Sequence, residues 1–172
     1  FTFVDGSALG NSTINGGVGA DSIVFTNAVT ITSIANVSNV ETIYLNGSAS
    51  STLTIGNGGL AGTNSLAIYG TAASNTISAA SRNDGAVSLF GGASYSDTFT
   101  GGSLNDTLQG WNASGSAFRD SLTGGAGADL FVIATGFTSN ADLTGDVGYA
   151  GGTNVAIITD YGFGNDKIGV GA

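Results

Sequence analysis

The chain has 172 residues, of which 30 are glycine, and it contains no proline, cysteine, methionine or histidine. Without cysteine or histidine it can form no disulfide framework, no thiolate or imidazole metal site and no Ser-His-Asp triad. Its net charge of −9 disfavours nucleic acid and anionic membrane surfaces as partners and favours cations. No apolar run approaches the ~20 residues of a membrane-spanning helix.

Short apolar segments recur along the chain at short, regular intervals and are separated by Gly, Asn and Ser clusters. No segment combines a helix-capping signal with a 3.6-residue apolar period, so we expect strands and no helix. A repeat this short favours a solenoid over a sandwich or barrel. The predicted core positions are Ile43, Leu45, Leu53, Ile55, Leu66, Ile68, Ile77, Val87, Leu89, Phe99, Leu108, Leu122 and Phe131.

The first motif in chain order is the nonamer GGVGADSIV at 16–24, and a close copy, GGAGADLFV, occupies 124–132. Glycine is required where φ is positive or where backbones approach closely, and aspartate ends the turn with a carboxylate. The three residues after the aspartate form one strand step with a single inward apolar side chain. Two such units would make one coil of about 18 residues.

Degenerate copies of the nonamer lie between the two complete ones. Residues 70–78 keep the period but carry Asn75 in the aspartate position, so we expect a hydrogen-bonded, uncharged turn there rather than a charged one. Residues 91–99 contain one extra residue, 101–109 lack the third glycine, and 120–123 are the tail of another copy. Alternate units face the same side, which predicts that Asp97 stacks with Asp120 and Asp106 with Asp129.

Stacked carboxylates about 5 Å apart repel one another, by about 1 kcal/mol in water and by more at lower dielectric. Together with turn carbonyls they are hard oxygen ligands, which suit the 6–8 flexible oxygen contacts of Ca²⁺ better than the strict octahedron of Mg²⁺. The alternative is that these aspartates only cap turns. Asp142 and Asp146, in the Gly-rich segment 134–153, are weaker candidates, and Glu41 is expected to be structural.

The two complete nonamers match G-G-x-G-x-D-x-U-x, and the chain therefore resembles secreted bacterial RTX proteins, which carry hemolysin-type calcium-binding repeats. The segment 154–170 resembles the end of an RTX array, which implies that Asp160 and, more weakly, Asp166 are ligands. Residues 36–48 and the composition resemble RTX-containing S-layer proteins. The resemblance implies an all-β, right-handed parallel β-solenoid, or calcium β-roll, that binds several Ca²⁺ ions. The expected metal-site residues are Gly16, Gly17, Gly19, Asp21, Gly91, Gly92, Asp97, Gly101, Gly102, Asp106, Asp120, Gly124, Gly125, Gly127, Asp129, Asp160 and Asp166.

One continuous module is expected, with an acid-poor portion (1–90) containing the nonamer at 16–24 and an acid-rich calcium β-roll with a terminal capping segment (91–172). The resemblance implies export through a type I secretion channel, folding on extracellular calcium and self-association at a cell surface. We expect no enzyme activity, no nucleic-acid partner and no membrane span. The alternatives are an adhesin segment for carbohydrate, a host or ice, and the accessory β-roll of a secreted hydrolase.

Overall fold

A computed structural model describes residues 1–4, 9, 12–57, 65–70, 72–92, 94–110, 118–133, 157–162 and 165–170. The described residues form sixteen short strands and no α-helix. In chain order they are Thr2–Phe3 (β1), Ile14–Asn15 (β2), Ser22–Phe25 (β3), Thr30–Ile31 (β4), Val37–Ser38 (β5), Thr42–Leu45 (β6), Thr52–Thr54 (β7), Ser65–Gly70 (β8), Thr76–Ser78 (β9), Ala86–Gly91 (β10), Thr98–Thr100 (β11), Thr107–Gly110 (β12), Ser121–Thr123 (β13), Leu130–Ile133 (β14), Ile157–Ile158 (β15) and Lys167–Val170 (β16).

The strands stack in parallel into two large sheets and one small one. The larger sheet has the order β1-β3-β6-β8-β10-β12-β14-β16, and the second has the order β15-β13-β11-β9-β7-β4. Strands β2 and β5 form a separate pair. From β6 onward the chain alternates between the two large sheets, so each coil adds one strand to each sheet. This architecture is a parallel β-solenoid, as the sequence predicts.

Inward-facing apolar side chains build one core along the solenoid. Strands such as β6 and β10 alternate buried and half-buried residues, because successive side chains of a strand point to opposite faces. Register pairing aligns equivalent side chains of successive coils, for example Leu89 with Leu108 and Leu108 with Phe131. All the core positions predicted from the sequence are buried.

The coils vary in length. Ser88 pairs with Thr107 and Thr107 with Leu130, which are offsets of 19 and 23 residues rather than the expected 18 or so. The first offset includes the extra residue of the 91–99 copy, and the second includes the segment around Trp111, which itself lies outside the described residues. Extra residues are therefore absorbed between strands, and the strand register is preserved.

Candidate calcium-binding turns

Every acidic residue that the structure describes lies in a turn between strands, never within a strand. The turns form two edges of the solenoid. At the first edge Ser51, Asn75, Asp97 and Asp120 each precede a strand of the six-stranded sheet. At the second edge Asp21, Glu41, Asp106, Asp129 and Asp166 each precede a strand of the eight-stranded sheet. The charge is therefore concentrated along two lines parallel to the stacking direction.

Side-chain oxygens join neighbouring coils at the first edge. The backbone N–H of Asp97 donates to Asp120 Oδ1 at 2.8 Å, and that of Asn75 donates to Asp97 Oδ1 at 2.7 Å. The N–H of Ser51 donates to Asn75 Oδ1 at 3.0 Å. Each residue of this ladder therefore accepts the amide of its equivalent in the preceding coil.

The second edge repeats the arrangement. The N–H of Val87 donates to Asp106 Oδ1 at 2.7 Å, that of Asp106 to Asp129 Oδ1 at 2.8 Å, and that of Asp129 to Asp166 Oδ1 at 3.0 Å. The predicted pairing of Asp97 with Asp120 and of Asp106 with Asp129 is confirmed. The nine-residue period predicts this pairing because two units complete one coil, so aspartates two units apart lie at the same edge.

The second carboxylate oxygen has a different partner in different turns. In three turns it accepts an N–H from its own turn: Gly92 donates to Asp97 at 3.1 Å, and Gly102 donates to Asp106 at 2.5 Å. In the last coil Gly162 donates to Asp166 at 3.0 Å. These three aspartates close their own turns, as a turn-capping aspartate does.

The two complete nonamers differ from those three turns. Asp21 Oδ2 and Asp129 Oδ2 are buried and have no hydrogen-bond partner among the described residues. Asp129 as a whole is only 1% exposed. A buried carboxylate oxygen without a partner destabilises the fold by about 1–3 kcal/mol or more. Each of these two oxygens therefore needs a hydrogen-bond donor or a bound cation.

Residues outside the two complete nonamers accept hydrogen bonds from the glycine amides of these turns. The N–H of Gly17 donates to Asn15 Oδ1 at 3.0 Å instead of to Asp21. In the other complete nonamer the N–H of Gly125 donates to Asp160 Oδ2 at 2.7 Å, and the N–H of Gly124 donates to Asp160 Oδ1 at 2.8 Å. Both open carboxylates thus occur in turns whose second-glycine amide has an external acceptor.

Glycine is required in these turns for two separate reasons. Gly125 and Gly127 have φ values of 95° and 125°, and Gly17 and Gly19 have similar positive values, which side-chain-bearing residues rarely adopt. Gly101 leaves room for the neighbouring coil and for the capping carboxylate: a Cβ there would clash with the carbonyl oxygen of Gly124 and would lie 2.6 Å from Asp106 Oδ2. The nonamer's glycines therefore allow both the turn conformation and the inward carboxylate.

Burial raises the pKa of three ladder carboxyls. The pKa of Asp97 is raised from 3.8 to about 7, chiefly by burial, although hydrogen bonds from Asn75 and Gly92 oppose the shift. Burial raises the pKa of Asp129 to about 6, and the charges of Asp106, Asp166 and Asp160 add to the increase. The pKa of Asp106 is also raised by burial, with the Arg82 charge among the opposing effects. Without a cation, ionising these groups at neutral pH destabilises the fold.

The donor set fits calcium. The open oxygens of Asp21 and Asp129 are hard ligands, and backbone carbonyls of glycine-rich turns are the same kind of donor. Among the described residues no group of three or more Asp, Glu, His or Cys side chains is placed to hold a metal by side chains alone. A bound Ca²⁺ would therefore depend on one or two carboxylates supplemented by backbone carbonyls.

Asn75 occupies a ladder position without charge. Its Nδ2 donates to the carbonyls of Gly70 at 2.9 Å and Ala73 at 2.6 Å, and the side chain is buried. The amide thus closes its turn with a donor where Asp97 closes its own with an acceptor. The expected uncharged, hydrogen-bonded asparagine is confirmed.

Two charged residues have roles that the sequence did not specify. Arg82 is 1% exposed, its Nε donates to the carbonyl of Gly85 at 2.8 Å, and its guanidinium lies 3.4 Å from Asp84. It supplies a positive charge inside a coil that lacks a glycine nonamer, and nothing in the sequence around it indicates burial. Glu41 Oε2 accepts the N–H of Asp21 at 2.7 Å, so it joins the coils at the open Asp21 turn.

All the predicted metal-site residues lie in the described turns or at the strand ends next to them, whereas Asp142 and Asp146 lie outside the described residues. No helix in the described part of the chain is long and apolar enough to cross a membrane.

The fold and its turns define a parallel β-solenoid with stacked acidic, glycine-rich edges. A family model described as RTX calcium-binding nonapeptide repeat (4 copies) matches residues 8–26, 91–114 and 112–132.

Residues 8–26 and 91–132, which include both complete nonamers, therefore match RTX calcium-binding repeats. Searches of curated proteins and of solved structures find no match. RTX repeats are typical of secreted bacterial proteins and form structural calcium-binding β-rolls.

Proposed function

We propose that this chain is a structural module of a secreted bacterial surface protein, an S-layer or a similar assembly, that folds and self-associates on extracellular calcium. The carrying observation is the separation of the acidic residues from the strands of the two flat faces. The described acids lie along the turn edges, whereas the outer face of the six-stranded sheet is uncharged. Calcium at the edges would neutralise repulsion between copies and leave the faces free to pack.

The face of the six-stranded sheet carries two rows of hydroxyl side chains. Thr52, Thr76 and Thr98 are in register in one row, and Thr54, Ser78 and Thr100 form the other. Parallel strands place such hydroxyls at roughly 4.8 Å along the stack and roughly 6.6 Å across it. A flat, uncharged and regularly spaced surface of this kind suits packing against another copy through many weak polar contacts.

The opposite face adds an aromatic row. Tyr69 stacks between Tyr44 and Phe90, with ring centroids 5.1 and 4.6 Å apart and nearly parallel planes. These half-buried rings stiffen the outer surface of the eight-stranded sheet. Both faces are therefore built for lateral contact rather than for enclosing a small molecule.

The same hydroxyl rows favour a second candidate, an adhesin segment that binds a regular surface such as ice or a crystalline polysaccharide. A regular array of hydroxyl groups on the protein can match the lattice of such a surface without any concave pocket. The accessory β-roll of a secreted hydrolase is a third reading, and it would leave the calcium chemistry unchanged. Export of the unfolded chain through a type I channel is compatible with all three functions, because the acidic ladders oppose folding until calcium binds.

Electron microscopy and light scattering of the full chain across a calcium titration test the proposal. Ordered sheets or filaments that form with calcium and dissolve with chelator would support a surface assembly. The variant Thr76→Lys places a charge in the middle of the hydroxyl face and should abolish assembly while calcium binding is retained. A protein that stays monomeric at millimolar calcium and adsorbs to ice or polysaccharide would contradict the assembly and favour the adhesin.

A further inference from the structure

We infer that Asn15 and Asp160 determine which turns bind calcium, by accepting the glycine amides that would otherwise pair with the carboxylates of Asp21 and Asp129. This inference rests on the proposed calcium binding and adds to it the residues that select the sites. Neither residue is a nonamer position: Asn15 precedes the first nonamer, and Asp160 lies in the segment after β15.

The comparison among five turns carries the argument. In three turns no described residue from outside the turn accepts the second-glycine amide or its counterpart, and the amide pairs with the aspartate of its own turn, as Gly92, Gly102 and Gly162 do. Where an outside acceptor is present, the amide pairs with Asn15 or Asp160 and the aspartate oxygen is left without a partner.

Backbone conformation alone does not explain the difference. Gly162 has a φ of 110°, similar to the 95° of Gly125, yet Gly162 donates to its own Asp166 while Gly125 donates to Asp160. What distinguishes the two turns is the acceptor. Asp160 reaches the amides of both Gly124 and Gly125 from the following coil, and its two oxygens are engaged with them.

At the first nonamer the acceptor is neutral. Asn15 Oδ1 accepts the N–H of Gly17 at 3.0 Å and Asn39 Nδ2 at 2.8 Å, so the oxygen is fixed by a residue of the next coil. Since an amide oxygen adds no charge, its effect on calcium at Asp21 is one of positioning. Partners that hold a ligand without being charged ligands themselves typically alter metal affinity by about 10- to 100-fold.

The consequence is a division of the ladder into two kinds of aspartate. Asp21 and Asp129 each present an open oxygen and bind calcium, whereas Asp97 and Asp106 use both oxygens for backbone amides and hold the coils together. The number of strong sites follows the number of outside acceptors and not the number of aspartates.

The test is calorimetric titration of the full chain with Ca²⁺ alone. Asn15→Ala should free the Gly17 amide to pair with Asp21 and weaken one site by about 10- to 100-fold, while Asn15→Asp, which keeps the acceptor, should retain that site. Asn57→Ala is the control, because Asn57 Oδ1 likewise accepts a backbone N–H, although its donor is Asn83 of the next coil, at 2.7 Å. It should leave calcium affinity unchanged.

Asp160→Ala is the parallel test at the other turn and is decisive if Asn15→Ala does not fold. Amide hydrogen exchange in chelator gives a second readout: the Gly125 amide should stay protected in Asp160→Ala, because it moves to Asp129. Wild-type affinity and stoichiometry in Asn15→Ala, or a Gly125 amide that becomes fully unprotected in Asp160→Ala, would overturn the inference. Absence of calcium binding by the wild type would instead overturn the proposed function.

Discussion

Replacing Asp129 with asparagine should change the stability in opposite directions without and with calcium. In the calcium-free protein, burial and the neighbouring carboxylates raise the pKa of Asp129 to about 6, while its ordinary value is 3.8. Because the folded-state pKa is the higher one, the folded state loses stability as pH rises from about 4 to about 6 and stays destabilised above that. This corresponds to about 3 kcal/mol at pH 8.

Asparagine removes this cost if its Nδ2 finds a turn carbonyl, as Asn75 does with Gly70. The variant should then be more stable than the wild type by up to about 3 kcal/mol at pH 8 in chelator. Calcium reverses the advantage, since a site gains about 1.4 kcal/mol for each tenfold rise in calcium above Kd. The two proteins should have equal stability near roughly 100 times Kd, and the wild type should be more stable beyond it.

Urea unfolding followed by far-ultraviolet circular dichroism, at pH 8 across a calcium series, measures both effects. Asn75→Asp is the matched control: it places a carboxylate where Nδ2 donates to Gly70 and Ala73, so it should destabilise the fold at every calcium concentration. A wild type more stable than Asp129→Asn in chelator would refute the assignment of an unpaired, costly carboxylate. Identical calcium slopes for the two proteins would refute its role as a ligand.

Three further predictions concern the same edges. Because burial raises the pKa of Asp97 to about 7, the free energy of unfolding of the calcium-free protein should fall by on the order of 4 kcal/mol as pH rises from about 4 to 7. Thermal unfolding in chelator should give a lower melting temperature at pH 8 than at pH 5, and equal melting temperatures would count against the raised pKa. Arg82→Met leaves the buried carbonyl of Gly85 without its N–H donor and should cost about 1–3 kcal/mol in urea unfolding, with calcium stoichiometry unchanged, whereas a neutral effect would show that the guanidinium is dispensable. Gly101→Ala brings a Cβ against the Gly124 carbonyl oxygen and to 2.6 Å from Asp106 Oδ2, and should cost about 1–3 kcal/mol, while Gly56→Ala, where the nearest atom is 3.8 Å away, should cost less; equal losses would contradict the packing argument.

The sequence predicts the core and the ladders well because both follow a short period. Phe99 and Leu122 each follow a turn residue by two positions, so a nine-residue unit fixes which side chain points inward. The pairing of Asp106 with Asp129 follows from the same period. The neutral position at Asn75 was predictable because the period of the repeat is kept there and only the aspartate side chain is replaced by asparagine.

The partners of individual oxygens were not predictable from the repeat. Asp106 and Asp129 occupy the same place in their units, yet one closes its turn and the other leaves an oxygen open. The difference comes from Asp160, which follows β15 and reaches the turn only after a further coil is stacked. The burial of Arg82 likewise depends on which coil covers it, and a single arginine in a polar segment ordinarily indicates an exposed residue.

Calcium-dependent folding is the most direct test of the central claim that the open carboxylates of complete nonamers require a cation. Circular dichroism and calcium titration calorimetry of the full chain should be measured together, in chelator and up to millimolar calcium, because the calcium sites of extracellular modules bind at about 10⁻⁴–10⁻³ M. We expect strand signal and melting temperature to rise as calcium binds, with the transition in that range. A spectrum and a melting temperature that calcium and chelator leave unchanged would contradict the claim.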